Sequence, residues 1–262
     1  MTEPVPQRPV RHRGIYLLPN LFTTGAMFSG FYAIVAGISG YFSAAAIAVF
    51  VAALLDAMDG RVARLTHTQT DFGVQYDSLS DLVSFGLAPA LVLYTWSLHF
   101  LRDYGNAWGK LGWAAAFIYA ACAALRLARF NTQAGVADKR YFQGLASPAA
   151  AGLCMAFVWA MNNDGISGAD LRFVTPFLAI IAGLLMVSRV RYVSFKTRPE
   201  NDKVTFLWII AAVLVLFLLT INTSHVLLIV LGLYVLSGPV LTIWSMGRRR
   251  RRGRRGTGGS PD

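Results

Sequence analysis

The chain has 262 residues, of which 55% are hydrophobic and only 14% charged, and its mean hydropathy is +0.51. An ordinary soluble domain carries about 25% charged residues, so this composition excludes one, and hydrophobicity this high excludes intrinsic disorder. The 24 Gly follow no collagen period, the two Cys make no disulfide scaffold, and the net charge of +11 does not by itself imply nucleic acid, because of where the charges fall.

Residues 1–14 are rich in Pro and Arg and read as a cytoplasmic N-terminal segment rather than a cleavable signal. Eight apolar helical segments follow, over roughly 17–38, 41–64, 76–100, 109–131, 147–163, 170–188, 204–222 and 225–247. Each has the length a helix needs to cross about 30 Å of hydrocarbon. Helices are required there because unpaired backbone groups cannot face lipid. The expectation is therefore one all-α polytopic membrane domain over 15–247, with an Arg-rich tail over 248–262. Alternating topology puts 21 of the 24 Lys and Arg on one side and leaves Arg102, Lys110 and Arg172 on the other. That split predicts eight spans with both termini cytoplasmic. The tail arginines read as an anchor for anionic membrane lipid; with no aromatic interleaving, they do not read as a nucleic-acid site. Cys122 and Cys154 lie inside apolar runs and read as small core residues.

Five of the 13 acids fall between Asp56 and Asp81. An Asp at mid-membrane costs about 2.5–3.5 kcal/mol, so four on helices need compensation. Asp56 and Asp59 are spaced i, i+3 and Asp77 and Asp81 are spaced i, i+4, so each pair shares one helical face. Hard carboxylate oxygens in this number suit Mg²⁺ or Mn²⁺, ions that also bind substrate phosphates. Gly60 and Ala63 lie on the face of the first pair, and Gly73 lies one turn before Asp77. Small residues there leave room for a bulky ligand and allow close helix approach. Arg64, one turn beyond Gly60, is placed to meet a phosphate. Asp71 reads as a loop acid, and the four His have no paired ligand spacing. Gly25, Gly30 and Gly37 read as helix-packing residues.

The run Asp56-x2-Asp59-Gly60-x2-Ala63-Arg64-x8-Gly73-x3-Asp77-x3-Asp81 resembles the complete signature of the CDP-alcohol phosphatidyltransferase family. Further segments resemble its phosphatidylserine synthase branch. They are Leu18-Pro19-Asn20 with Thr23 and Thr24, Leu125 to Asn131, Phe142-Gln143-Gly144 with Ser147-Pro148-Ala149-Ala150, and Met186 to Arg189 with Arg191-Tyr192 and Ser194-Phe195-Lys196. Ala146 departs from that branch's pattern, where Pro is expected.

The resemblance implies displacement of CMP from CDP-diacylglycerol by an alcohol. Asp56, Asp59, Asp77 and Asp81 would hold the divalent cation, and Asp81 would also take the proton of the attacking hydroxyl. Asn20, Thr24, Asp59, Gly60, Ala63, Arg64 and Gly73 would bind the CDP-lipid. An L-serine acceptor brings a carboxylate, for which Arg126, Arg129 and Arg191 are the candidates. The resemblance also implies a homodimer in a bacterial inner membrane, with the site facing the cytoplasm. Other acceptors (glycerol 3-phosphate, inositol phosphate or choline) stay open within the class. Outside it stands a divalent-cation transporter, which would spread its acids through the bilayer depth on several helices.

Overall fold

The computed structural model describes residues 17–66, 70–133, 142–188, 190–192 and 217–256. Within them the chain is helical apart from one two-residue antiparallel ladder. Helices α1 (Leu17–Ile38) and α2 (Phe42–Leu65) form an antiparallel hairpin. After it come α3 (Asp71–Asp81), a single π-helical segment (Leu82–Leu87) and α4 (Ala88–Trp96), which together make one apolar rod, Asp71–Trp96. A 3₁₀ turn (Leu98–Tyr104) leads into α5 (Asn106–Gln133). Then follow α6 (Ser147–Asn163), α7 (Thr175–Val187) and α8 (Thr223–Gly256). Strands β1 (Phe142–Gln143) and β2 (Arg191–Tyr192) pair antiparallel between these helices.

Among the described residues, five helices are long and apolar enough to cross a membrane: Pro19–Ile38, Phe42–Leu65, Asp71–Trp96, Asn106–Thr132 and Thr223–Val240. Of the expected segment at 204–222, residues 204–216 lie outside the described residues and 217–221 are helical; the expected N-terminal segment and the end of the tail also lie outside them. The segment expected at 170–188 is a shorter apolar helix, starting only at Thr175. Pro176 fits its first turn, where a missing N–H is harmless, and hydrogen-bonded turns occupy the residues before it. The helix expected from 76 begins five residues earlier, so Asp71 is not in a loop. Thr70 caps it, its hydroxyl accepting from the Gly73 N–H at 3.0 Å, and Asp71 supplies negative charge to the first turn. Helix α8 runs on past 247, through the backbone of the arginine run.

The core is built from small side chains. Ala33, Ala45, Ala46, Ala52, Ala88, Ala115, Ala123, Ala150 and Ala151 are all buried, and large apolar residues such as Phe28, Leu54, Phe117 and Phe177 are exposed on the outer faces. Hydrocarbon offers no hydrophobic drive for helix association, so close packing of small residues takes its place. Gly30 shows this most sharply: a Cβ there would press on the backbone and side chain of Ser84 in the π segment. Gly37 likewise sits against Val92. Cys122 and Cys154 are buried free thiols.

Candidate functional site

The acids converge at one end of the bundle, where the C-terminal half of α2 faces α3 and the start of α1. One carboxylate oxygen each from Asp56, Asp59 and Asp77 lies within 4.8 Å of the other two. Asp59 is buried, and the Thr23 hydroxyl on α1 donates to its Oδ2 at 2.6 Å. The Asp77 Oδ1 is buried with no hydrogen-bond partner. The Asp56 carboxylate lies close to those of Asp77 and Asp81, and Asp81 is also near Arg126. Asp81 is outside the tight trio, one helical turn deeper than Asp77.

Among the described residues the one acid–base contact within 4 Å is His225–Asp164, so no described basic side chain pairs directly with the trio. Negative oxygens packed this closely repel one another, and a buried oxygen without a partner lacks the interaction its burial demands. Both defects are of the kind a cation relieves. An all-oxygen donor set of this type fits a hard divalent ion.

Beside the trio opens a cavity of about 200 Å³. Its wall includes Asn20, Asp59, Gly60, Ala63, Gly73 and Asp77, six residues singled out from the sequence. A Cβ at Gly60 would meet nothing within 4 Å, so Gly60 widens the cavity rather than serving helix packing. At Gly73 a Cβ would come 3.2 Å from the Thr70 Oγ1 and 3.6 Å from the Asn20 Oδ1, so glycine permits a close approach of α3 to α1. Thr24 does not line the cavity. Its hydroxyl donates to the Asn20 carbonyl at 2.7 Å and meets the Tyr76 hydroxyl at 2.9 Å, tying α1 to α3. Arg64 is exposed at the end of α2, its Nε donating to the Gly60 carbonyl at 2.8 Å.

The three acceptor candidates separate. Arg126 on α5 is half-buried next to Asp81; its guanidinium donates to the Ser147 Oγ at 2.8 Å, while its buried Nε has no partner. Tyr234 of α8 is also within electrostatic range of it. Arg129 donates to the Val187 carbonyl at 2.9 Å and so caps the C-terminal end of α7. Arg191 contributes its backbone to β2, and its side chain lies outside the described residues.

Four residues of this site were not assigned a role from sequence. Thr23 and Ser147 lie inside the quoted segments, where a hydroxyl one turn from Asn20 or at the first position of a helix is a usable signal. Thr70 is readable as a cap. Tyr234 carries no signal, because only folding brings α8, which packs on α6 and β2, within range of Arg126.

Comparison with known proteins adds an independent line. The profile of the CDP-alcohol phosphatidyltransferase family matches residues 16–244. A CDP-diacylglycerol–serine O-phosphatidyltransferase of Helicobacter pylori (strain J99) is 36% identical over 233 residues, which is 88% of this chain and 93% of that protein. One of Methanocaldococcus jannaschii is 34% identical over 192 residues, covering 73% of this chain and 81% of the relative. An archaetidylserine synthase of Methanothermobacter thermautotrophicus is 34% identical over 177 residues, 67% and 69% of the two chains.

Proposed function

Because the chain belongs to the CDP-alcohol phosphatidyltransferase family, we propose that it transfers the phosphatidyl group of CDP-diacylglycerol to the hydroxyl of L-serine, releasing CMP. The serine acceptor is supported by the activity in the names of relatives that align over most of this chain. The single observation that carries the site is the carboxylate trio with its buried, unpartnered Asp77 oxygen at the wall of a cavity.

Asp56, Asp59 and Asp77, with Asp81 adjoining, would hold Mg²⁺ or Mn²⁺. A bound ion of this kind supplies charge neutralisation for pyrophosphate oxygens. Thr23 fixes the Asp59 carboxylate by its 2.6 Å hydrogen bond. Gly60 and Ala63 leave one wall open for the CDP group, with Asn20 and Gly73 opposite, and Arg64 at the rim offers its guanidinium to a phosphate. In the transfer, the serine oxygen bonds to the phosphorus that carries the diacylglycerol. The bond from that phosphorus to the CMP oxygen breaks, and CMP leaves with the electron pair. Asp81 takes the hydroxyl proton as general base. The free Nε of Arg126, beside Asp81, binds the serine carboxylate, and Ser147 holds the guanidinium in place. Arg129 serves the fold at α7.

The same reading puts eight spans in the cytoplasmic membrane of a bacterium, with both termini and the site on the cytoplasmic side, and a homodimer as the assembly. The 21-to-3 division of Lys and Arg supports the orientation. The gathering of the acids at one end of the bundle, beside small residues, favours a phosphorylated ligand over an ion path through the bilayer. The test is incorporation of isotope-labelled L-serine into lipid by the purified chain supplied with CDP-diacylglycerol. Labelled phosphatidylserine is the expected product. Incorporation of glycerol 3-phosphate, inositol phosphate or choline instead would reassign the acceptor.

A further inference from the structure

Among the described residues, the end of the bundle opposite the acids carries three Lys or Arg side chains, Arg102, Lys110 and Arg172, and the fold treats them differently. The Arg172 guanidinium lies over the Tyr104 ring at 4.8 Å and near the Phe173 ring at 5.8 Å, so it is spent on packing. Arg102 and Lys110 are exposed and have no side-chain hydrogen bond or ion pair among the described residues, although Asp103 is adjacent in the chain. Both line one cavity of about 310 Å³ with Asn106, Gly109 and Trp113. Two glycines shape it. A Cβ at Gly109 would stand 3.1 Å from the Arg102 Cβ, and one at Gly112 would collide with the Leu98 carbonyl, so the 3₁₀ turn lies close against the first turns of α5.

Below the cations, Trp113 and Phe117 are one turn apart on α5, both exposed, with rings stacked at 5.4 Å and an interplanar angle of 2°. They form a flat apolar track leading from the charged cavity toward the middle of the helix. Lys110 and Arg126 are separated by about 24 Å along α5 at 1.5 Å per residue, so this cavity faces the other leaflet from the acids. A cationic pocket above an aromatic track matches an amphiphile with an anionic head and an alkyl chain.

We propose that Arg102, Lys110 and Asn106 bind the phosphate of an anionic phospholipid in the leaflet opposite the proposed catalytic site, with an acyl chain lying along Trp113 and Phe117. A second copy of the chain is a poorer occupant, since a two-fold contact centred here would oppose like charges. The proposal rests on the membrane reading alone and is independent of which alcohol the enzyme takes.

The test uses the purified full-length chain in neutral detergent, titrated with phosphatidylglycerol carrying brominated acyl chains, with tryptophan fluorescence as the readout. Saturable quenching is expected, with the saturable part lost in Trp113→Phe. Arg102→Gln/Lys110→Gln should raise the half-quenching concentration by about 30-fold, from the loss of two cations near a headgroup. CMP release by that double variant in detergent should equal wild type, which shows that the variant is folded. Brominated phosphatidylcholine should quench more weakly. Equal quenching of wild type and the double variant would overturn the proposal. So would full competition by inorganic phosphate alone, which would make this a free-anion site. Dissociation of an oligomer in the double variant would assign the face to a second copy and overturn it as well.

Discussion

At the scale of single residues, four aspartates that look alike in sequence fall into two kinds. Asp56, Asp59 and Asp77 form a trio within 4.8 Å, whereas Asp81 stands outside it, near both Asp56 and Arg126. The proposed roles differ accordingly, and so do the expected variants. Asp77→Asn should weaken divalent-ion affinity and CDP-diacylglycerol binding together. Asp81→Asn keeps one acceptor oxygen but cannot readily take a proton, so it should still bind the CDP-lipid while turnover falls by about two orders of magnitude or more. Calorimetric affinity and CMP-release rate on the same preparation read both. If affinity and rate fell in step in Asp81→Asn, Asp81 would be a fourth ion ligand and not the base.

The arginines separate in the same way. Arg126 has a buried Nε with no partner, and Arg129 is committed to the Val187 carbonyl. Arg126→Gln should therefore raise the serine KM far more than the CDP-diacylglycerol KM. Arg129→Gln should lower the Tm and leave the serine KM near wild type. A normal serine KM in Arg126→Gln would move the carboxylate subsite elsewhere.

At the scale of elements, the π segment Leu82–Leu87 begins directly after Asp81. Such a segment shifts the register of the helix beyond it and sheds a regular backbone partner. The Tyr119 hydroxyl of α5 donates to the Phe85 carbonyl inside this segment at 3.1 Å, and Ser84 donates to the Ala26 carbonyl at 3.1 Å. Tyr119→Phe leaves a fully buried carbonyl without that donor, which costs about 1–3 kcal/mol. The expected result is a lower Tm in detergent, with reduced CMP release as the register at Asp81 loosens. An unchanged Tm would show that the segment holds itself.

The same elements show what was readable from the chain alone. Helices at 17–38 and 147–163 agree with α1 and α6 to the residue, because turn signals bound them: Gly40 with Tyr41 after the first, and Ser147-Pro148 opening the other. Hydropathy measures apolarity and not hydrogen-bond register, so the π segment, the 3₁₀ turn at Leu98 and the late start of α7 were invisible to it. The cavity wall was largely legible because Asp59, Gly60, Ala63, Gly73 and Asp77 sit at helical spacing within 19 residues. Arg126, Ser147 and Tyr234 meet only through tertiary packing, and no local pattern separates Arg126 from Arg129.

At the scale of the whole molecule, a core rich in buried Ala and an exterior that exposes many Phe and Leu side chains are one design for lipid. The proposed orientation sets Asp103 and Thr257 on opposite sides of the membrane. In a chain with Cys122 and Cys154 replaced by Ala, Asp103→Cys should react with an impermeant maleimide in intact spheroplasts. Thr257→Cys should react only after permeabilisation. Labelling of both in intact spheroplasts would refute the span count.

The central claim, that the acidic end of the bundle moves a phosphatidyl group to serine, is tested most directly by the initial rate of CMP release. The purified full-length chain is given CDP-diacylglycerol, with and without L-serine, in Mg²⁺ or Mn²⁺ and again after chelation. Release should rise saturably with serine and stop on chelation, with the other alcohols giving far less. Release that ignores serine, or that persists at full rate without a divalent ion, would contradict it.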